Sequence, residues 1–388
     1  MLFVKRKIVY LLFCLIFLPA CTQIDNYMLG KDNTPTPSAL PDVPSKASLV
    51  EHWSVAMGKA SSAGSYLKLK PVVRGNVIYA ANASGVVQSF DKNNGHLLWS
   101  TALGVGLISG PSIADGYIAL GSNRSSVILL KQNDGKEIQQ FKVSGDALSK
   151  PVITQNKVII KTIDGYLYAF DLKSGQKQWM SEHGSPSLIL KASSSPVLMG
   201  KLALVGFSDG KLDAIDLTSG SVIWQRSIAY ASGSSDVERL VDIDADPIVR
   251  GEVVYLATYQ GYIGALSLQS GQFVWRKPAS IYKNMAIDQS TLYVTDSEDI
   301  VWAIDRHNGQ VKWQQPALKA RGLTEPVLVG DRLIVGDRTG YLHVISTYTG
   351  EFLARKLLSG PIDIAPTISG RSVYVMTANG KLSRLSVS

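Results

Sequence analysis

An all-β chain is what the sequence predicts, and three observations predict it. A turn glycine with a tryptophan four residues on recurs at Gly95/Trp99, Gly175/Trp179, Gly220/Trp224, Gly271/Trp275 and Gly309/Trp313, while Gly135 and Gly350 keep the glycine's place with Gln139 and Ala354 at the aromatic position. A ladder of prolines runs in step: Pro71, Pro111, Pro151, Pro196, Pro247, Pro326 and Pro366. Between them, short β-branched and aromatic runs alternate with Gly, Asn and Asp turns, the pattern of strands joined by tight hairpins. Four-stranded units of about 40–45 residues are propeller blades, because each small sheet has two apolar faces that only neighbouring sheets can bury.

The fullest unit justifies the four strands in turn. Pro151 opens the first, Lys157-Val158-Ile159-Ile160 forms the second, Tyr166 to Asp171 the third after the turn Asp164-Gly165, and the fourth follows Ser174-Gly175 to Trp179. Units begin near 71, 111, 151, 196, 247, 286, 326 and 366, which makes eight blades. The last runs through Asn379-Gly380 and Leu385 and stops without a fourth strand or a tryptophan. Glu51-His52-Trp53-Ser54-Val55 precedes the first complete blade and carries the missing tryptophan, so it is expected to join the last sheet and close the ring. Closure removes the edge strands that an open ring would expose.

Ahead of the blades, Lys5-Arg6-Lys7 followed by an apolar run from Ile8 to Leu18 reads as a secretory signal, too short to span a bilayer comfortably. It ends in Leu18-Pro19-Ala20-Cys21, which resembles the bacterial lipobox. That resemblance implies cleavage after residue 20, acylation of Cys21 and, with Thr22 rather than Asp next, a lipid anchor in the outer membrane facing the periplasm. Residues 21–47, with Pro35, Pro37, Pro41 and Pro44 among polar residues, read as the acylated cysteine and a flexible tether; the propeller is expected over 48–388.

Composition excludes several classes. Of 388 residues, 45% are hydrophobic and 18% charged, which excludes a disordered chain. The net charge of +8 includes Lys5, Arg6 and Lys7 of the leader, and the rest is spread out, so nucleic acid is not an expected partner. The two cysteines, Cys14 and Cys21, permit neither a disulfide framework nor a cysteine zinc site. The five histidines are scattered, no nucleophile triad, P-loop or dinucleotide loop is present, and the acids Asp91, Asp171, Asp216 and Asp305 recur at one repeat position, where a side chain bonding a turn amide is expected. An enzyme is therefore not expected. The repeat does resemble that of pyrroloquinoline-quinone dehydrogenases, so a quinoprotein or a small-ligand-binding periplasmic propeller stands as the rival. The cysteines for a vicinal disulfide and an insertion rich in metal-binding acids are missing, and no cofactor is expected.

Where the repeat breaks is more informative. The links from Trp179 to Pro196 and from Trp224 to Pro247 span 17 and 23 residues, against 12 and 13 for Trp99 to Pro111 and Trp313 to Pro326. Both join an outer strand to the next inner strand, in successive blades, and so emerge side by side on one face. Long loops on a rigid scaffold are where binding resides. The first holds Pro186-Ser187-Leu188-Ile189-Leu190-Lys191, and the second, from Gly233 to Asp246, packs five acids. Apolar anchors beside an acidic rim suit a protein partner.

These two segments, with the lipobox, tether and eight repeats, resemble the BamB family, propeller lipoproteins of the outer-membrane β-barrel assembly machinery. The resemblance implies a non-catalytic scaffold that binds the periplasmic POTRA domains of BamA through Leu188, Leu190, Lys191, Arg239, Asp242 and Asp244. The leucines would bury against a POTRA domain while Asp242 and Asp244 pair with its basic groups. Lys191 stands where the family commonly has Arg. Other subunits would be met indirectly, and unfolded outer-membrane proteins, more weakly, by strand addition at a blade edge.

Overall fold

The computed structural model describes residues 35–43, 45–58, 67–190 and 193–388. Eight four-stranded antiparallel sheets form an eight-bladed propeller. Blade 1 covers 72–102, blade 2 107–142, blade 3 152–182, blade 4 197–227, blade 5 248–279, blade 6 286–315 and blade 7 327–357. Blade 8 combines the strands Thr367–Ser369, Ser372–Met376 and Lys381–Val387 with the N-terminal strand Leu49–Ala56, which is its outermost member. Leu49 faces Val387 and Ala56 faces Lys381, so the closing strand is paired along its length.

The core lies between blades. Ile159, Leu167 and Ala169 of blade 3 pack on Ala203, Val205 and Ile215 of blade 4, and Leu204 and Leu212 of blade 4 pack on Val254 and Leu256 of blade 5. Each middle strand alternates its side chains, so one face meets the preceding blade and the other the following one.

The repeat's tryptophan and glycine meet across these seams. The third and fourth strands slip register beside the tryptophan, as between Ala169 and Phe170 opposite Trp179. Such a bulge re-aims a side chain. The indole then lies under the turn of the next blade: Nε1 of Trp53, Trp99, Trp179, Trp275 and Trp313 donates to the carbonyls of Lys92, Gln132, Leu217, Arg306 and Thr347 at 2.8–3.3 Å. Gly309 adopts φ of +76°, and a Cβ there would sit 2.6 Å from the Trp275 ring. Conformation and close approach thus both demand glycine. The recurrent acids cap the same turns; Asp216 Oδ1 accepts from the amides of Thr218 and Ser219 at 2.8 and 2.9 Å.

One boundary differs from expectation. The flexible stretch was expected to reach residue 47, but the compact unit begins at Ser38. The Ser38 amide donates to the Lys319 carbonyl at 3.0 Å, and Ser38 Oγ donates to that of Ala317 at 2.8 Å. Arg321 and Arg355 donate to the carbonyls of Ser38 and Pro41, each at 2.9 Å. Behind them Arg321 pairs with Asp337 at 2.8 Å, and Asp337 bonds His343 at 3.0 Å. Leu40 and Val43 pack on the cluster between blades 6 and 7. The reason is physical: the segment has two aliphatics to bury, and one buried and one half-buried guanidinium group bind its carbonyls. Cys21 lies outside the described residues.

Candidate functional site

The two long links leave blades 3 and 4, and the structure stitches them together. Asp242, at 0% exposure, accepts from the Leu190 amide at 3.1 Å. Asp246 accepts from the Ser195 amide at 2.6 Å. The Ile243 amide donates to the Phe207 carbonyl at 3.1 Å, and the Tyr259 amide to that of Asp242 at 2.9 Å. The links therefore emerge on one face, side by side, as their place in the repeat predicts.

Two tips project from this seam. In the first link Ser185 to Leu188 are exposed, with Leu188 at 41%, while Ile189 and Leu190 are half-buried. In the second, Tyr230 to Arg239 are all exposed, Tyr230 at 74% and Val237 at 58%. Glu238 gathers this tip, accepting from the amides of Ser234 and Ser235 at 2.7 and 3.2 Å, and those bonds hold its carboxyl below the usual range. Arg239 Nε donates to the Gly233 carbonyl at 3.1 Å. Tyr230 and Val237 are surface residues that sequence reading missed; Val237 was hidden among acids, and Tyr230 sits just after the strand it follows.

The acidic rim is largely internal. Asp242 and Asp244 were expected to face a partner's basic groups, and both are buried. Burial pushes Asp242 up to about 6, against the bonds from Ser208 and the Leu190 amide that favour its charge. Burial likewise raises Asp244 well above the carboxylate range, with the Asp242 charge adding to the effect. Asp242 accepts the Leu190 amide, and both carboxyl groups act on the buried Lys161, whose own proton affinity burial lowers. Of the remaining expected contacts, Leu188 and Arg239 lie at the surface, Leu190 at its margin, and Lys191 outside the described residues.

His183 roots the first link. Its Nδ1 lies 2.7 Å from Asp213 and its Nε2 3.0 Å from Asp209, and the ring stacks on Phe207 with centroids 3.7 Å apart. Burial opposes the imidazolium, yet the two carboxylate bonds outweigh it and push His183 up to about 9. Burial also opposes the Asp209 anion, but the bonds to His183 and Lys211 bring it down to about 2.

The same face carries the mouth of the ring axis. Lys70 of the segment entering blade 1 pairs with Glu325, at the start of blade 7, at 2.9 Å. Lys68 reaches the Ser193 carbonyl at 2.5 Å, at the start of blade 4, and Asp246 before blade 5 at 3.5 Å. Contacts from the entry to blade 1 with blades 4, 5 and 7 are available only across the axis, so this segment lies over it.

Comparisons with known proteins agree with this architecture. Residues 83–315 and 317–388 match the family described as outer membrane protein assembly factor BamB. The chain is 55% identical over 384 residues to the outer membrane protein assembly factor BamB of Legionella pneumophila (strain Paris), covering 99% of this chain and 100% of the relative. It is 33% identical over 356 residues to that of Escherichia coli (strain K12), covering 89% and 88%. The crystal structure of BamB from Moraxella catarrhalis superimposes with a TM-score of 0.80 at 24% identity, over 87% of this chain and 100% of that one. A quinohemoprotein alcohol dehydrogenase from Pseudomonas putida HK5 superimposes at 0.71 with 12% identity, over 87% of this chain and 76% of that one, a likeness of fold alone. The repeated blade, the closing N-terminal strand and these relatives place the chain in the family of the outer membrane protein assembly factor BamB.

Proposed function

We propose that this propeller is a lipid-anchored scaffold of outer-membrane protein assembly, acylated at Cys21, facing the periplasm, and gripping the POTRA region of BamA with its two long links. The observation that carries this reading is the Asp242–Leu190 bond, which sets two irregular tips side by side with Leu188, Tyr230 and Val237 exposed. Exposed large apolar groups clustered on one face mark an interaction surface. Leu188, Leu190, Lys191 and Arg239 make the contact, and Asp242 acts from beneath by holding the Leu190 amide, with Asp244 buried beside it. Anchoring at the bilayer raises the local concentration of the scaffold near its partner. Fourth strands that expose Leu97, Ile223 and Val274 support a secondary capacity to take up an unfolded strand.

Capture of BamA from detergent extract by wild type and by a Leu188→Asp/Val237→Asp variant tests the reading. Burial of each such side chain contributes roughly 1.5–3 kcal/mol, so recovery should fall more than tenfold. Equal recovery by the two proteins would remove these tips from the interface.

A further inference from the structure

We infer that Lys161 and Lys68 are positioning residues for the loop pair, two ammonium groups that lock both links into one surface from below. The inference rests on the reading that this surface is the binding site.

Lys161 ends the strand Lys157–Lys161 of blade 3, where an apolar residue would be expected in a buried run. It is 4% exposed, its Nζ donates to the Gly206 carbonyl at 2.5 Å and meets that of Ser194 at 3.5 Å, and it lies 5.1 Å from the centre of the Phe207 ring. Phe207 is the ring on which His183 stacks, so the root of the first link and Lys161 share one floor. Lys68 comes from the opposite side of the ring. It donates to the Ser193 carbonyl of the first link at 2.5 Å and to the Asp244 carbonyl of the second at 3.4 Å, and pairs with Asp246 at 3.5 Å. One lysine from blade 3 and one from across the axis thus hold adjacent carbonyls, Ser193 and Ser194, of the same link.

The charge balance gives these lysines their force. Asp242 and Asp244 are buried, and neither Asp244 carboxylate oxygen has a hydrogen-bond partner among the described residues. Lys161 and Lys68 are the cations that act on Asp244, and Lys161 also acts on Asp242. Removing one member of a buried ionic set leaves an uncompensated charge, whereas removing opposite members together does not. Asp242 carries the Leu190 amide and Asp246 the Ser195 amide, so disturbing the set transmits to the tips.

Hydrogen exchange of the full lipidated chain in detergent tests this, read by mass spectrometry on peptides spanning 184–195 and 236–246, with 311–316 of blade 6 as the reference. The variants are Lys161→Met, Asp244→Asn, the double variant, and Lys68→Met. Lys68, with its side chain a quarter exposed, is the replacement that leaves the core intact. Lys161→Met and Lys68→Met should each raise exchange in the two loop peptides by about tenfold, with the reference peptide unchanged, and the double variant should return to within about threefold of wild type. Loop exchange within about twofold of wild type in both lysine variants, or a double variant equal to the sum of its singles, would overturn the inference. Capture of the periplasmic region of BamA by the same proteins separates the two readings. Raised exchange with capture lost supports both. Raised exchange with capture retained leaves the lysines as positioning residues and removes the partner assignment.

Discussion

Five seams of the ring each turn on a single indole. Trp275 is 9% exposed, covers Gly309 of the next blade and donates to the Arg306 carbonyl at 2.8 Å. Trp275→Ala should therefore cost about 3–5 kcal/mol, read as a lower urea midpoint, because it opens a cavity and orphans a carbonyl at once. Blade 2 differs with Gln139, whose side chain occupies the space above Gly175 where those five seams place a ring. The Leu172 carbonyl stands where Leu217 accepts from Trp179 one blade later. Gln139→Trp should stabilise the propeller by about 0.5–2 kcal/mol, seen as a raised melting temperature. A drop in melting temperature would show that this seam is shaped for the shorter side chain.

At the scale of the element, the first long link is anchored by a charge that depends on pH. His183 is pushed up to about 9 by Asp213 and Asp209, against burial. Its unfolded value is near 6.5, so the stability it contributes is fully present below that pH and is lost as pH rises through about 9. Asp209, brought down to about 2, works the other way: its contribution is present above the unfolded value near 3.8 and is lost as pH falls through about 2. The melting-temperature gap between wild type and His183→Leu should be widest near pH 6–7 and close as pH passes about 9. A gap unchanged from pH 7 to 10 would show the ring acting through packing on Phe207 alone. The strands were legible because each is repeated eight times with its turn, and the existence and neighbourhood of both links followed from the intervals between Trp and Pro. What the links do inside was not legible. An Asp reads alike whether it faces water or accepts a buried amide, and Lys161 and Lys68 meet the links only through contacts that cross blades or the axis.

For the whole molecule, ring closure and the docking of the segment from Ser38 to Pro41 form one continuous arrangement. Trp53, from the N-terminal strand, docks on Gly95 of blade 1 and donates to the Lys92 carbonyl at 3.2 Å, while its ring lies 6.0 Å from that of Tyr374 in blade 8. Trp53→Ala should weaken the one seam that joins the chain's two ends, and proteolysis should then release the N-terminal strand before any other. Digestion that begins in an interior blade would contradict this. Upstream of that strand, the buried Arg321 and the half-buried Arg355 hold Ser38 and Pro41 against blade 7. The stretch held by the ring consequently begins earlier than the proline-rich composition implies. Ser38 meets Ala317 and Lys319 on a link of the same kind as the two long ones, so the ring takes hold of the chain on the face that carries both tips.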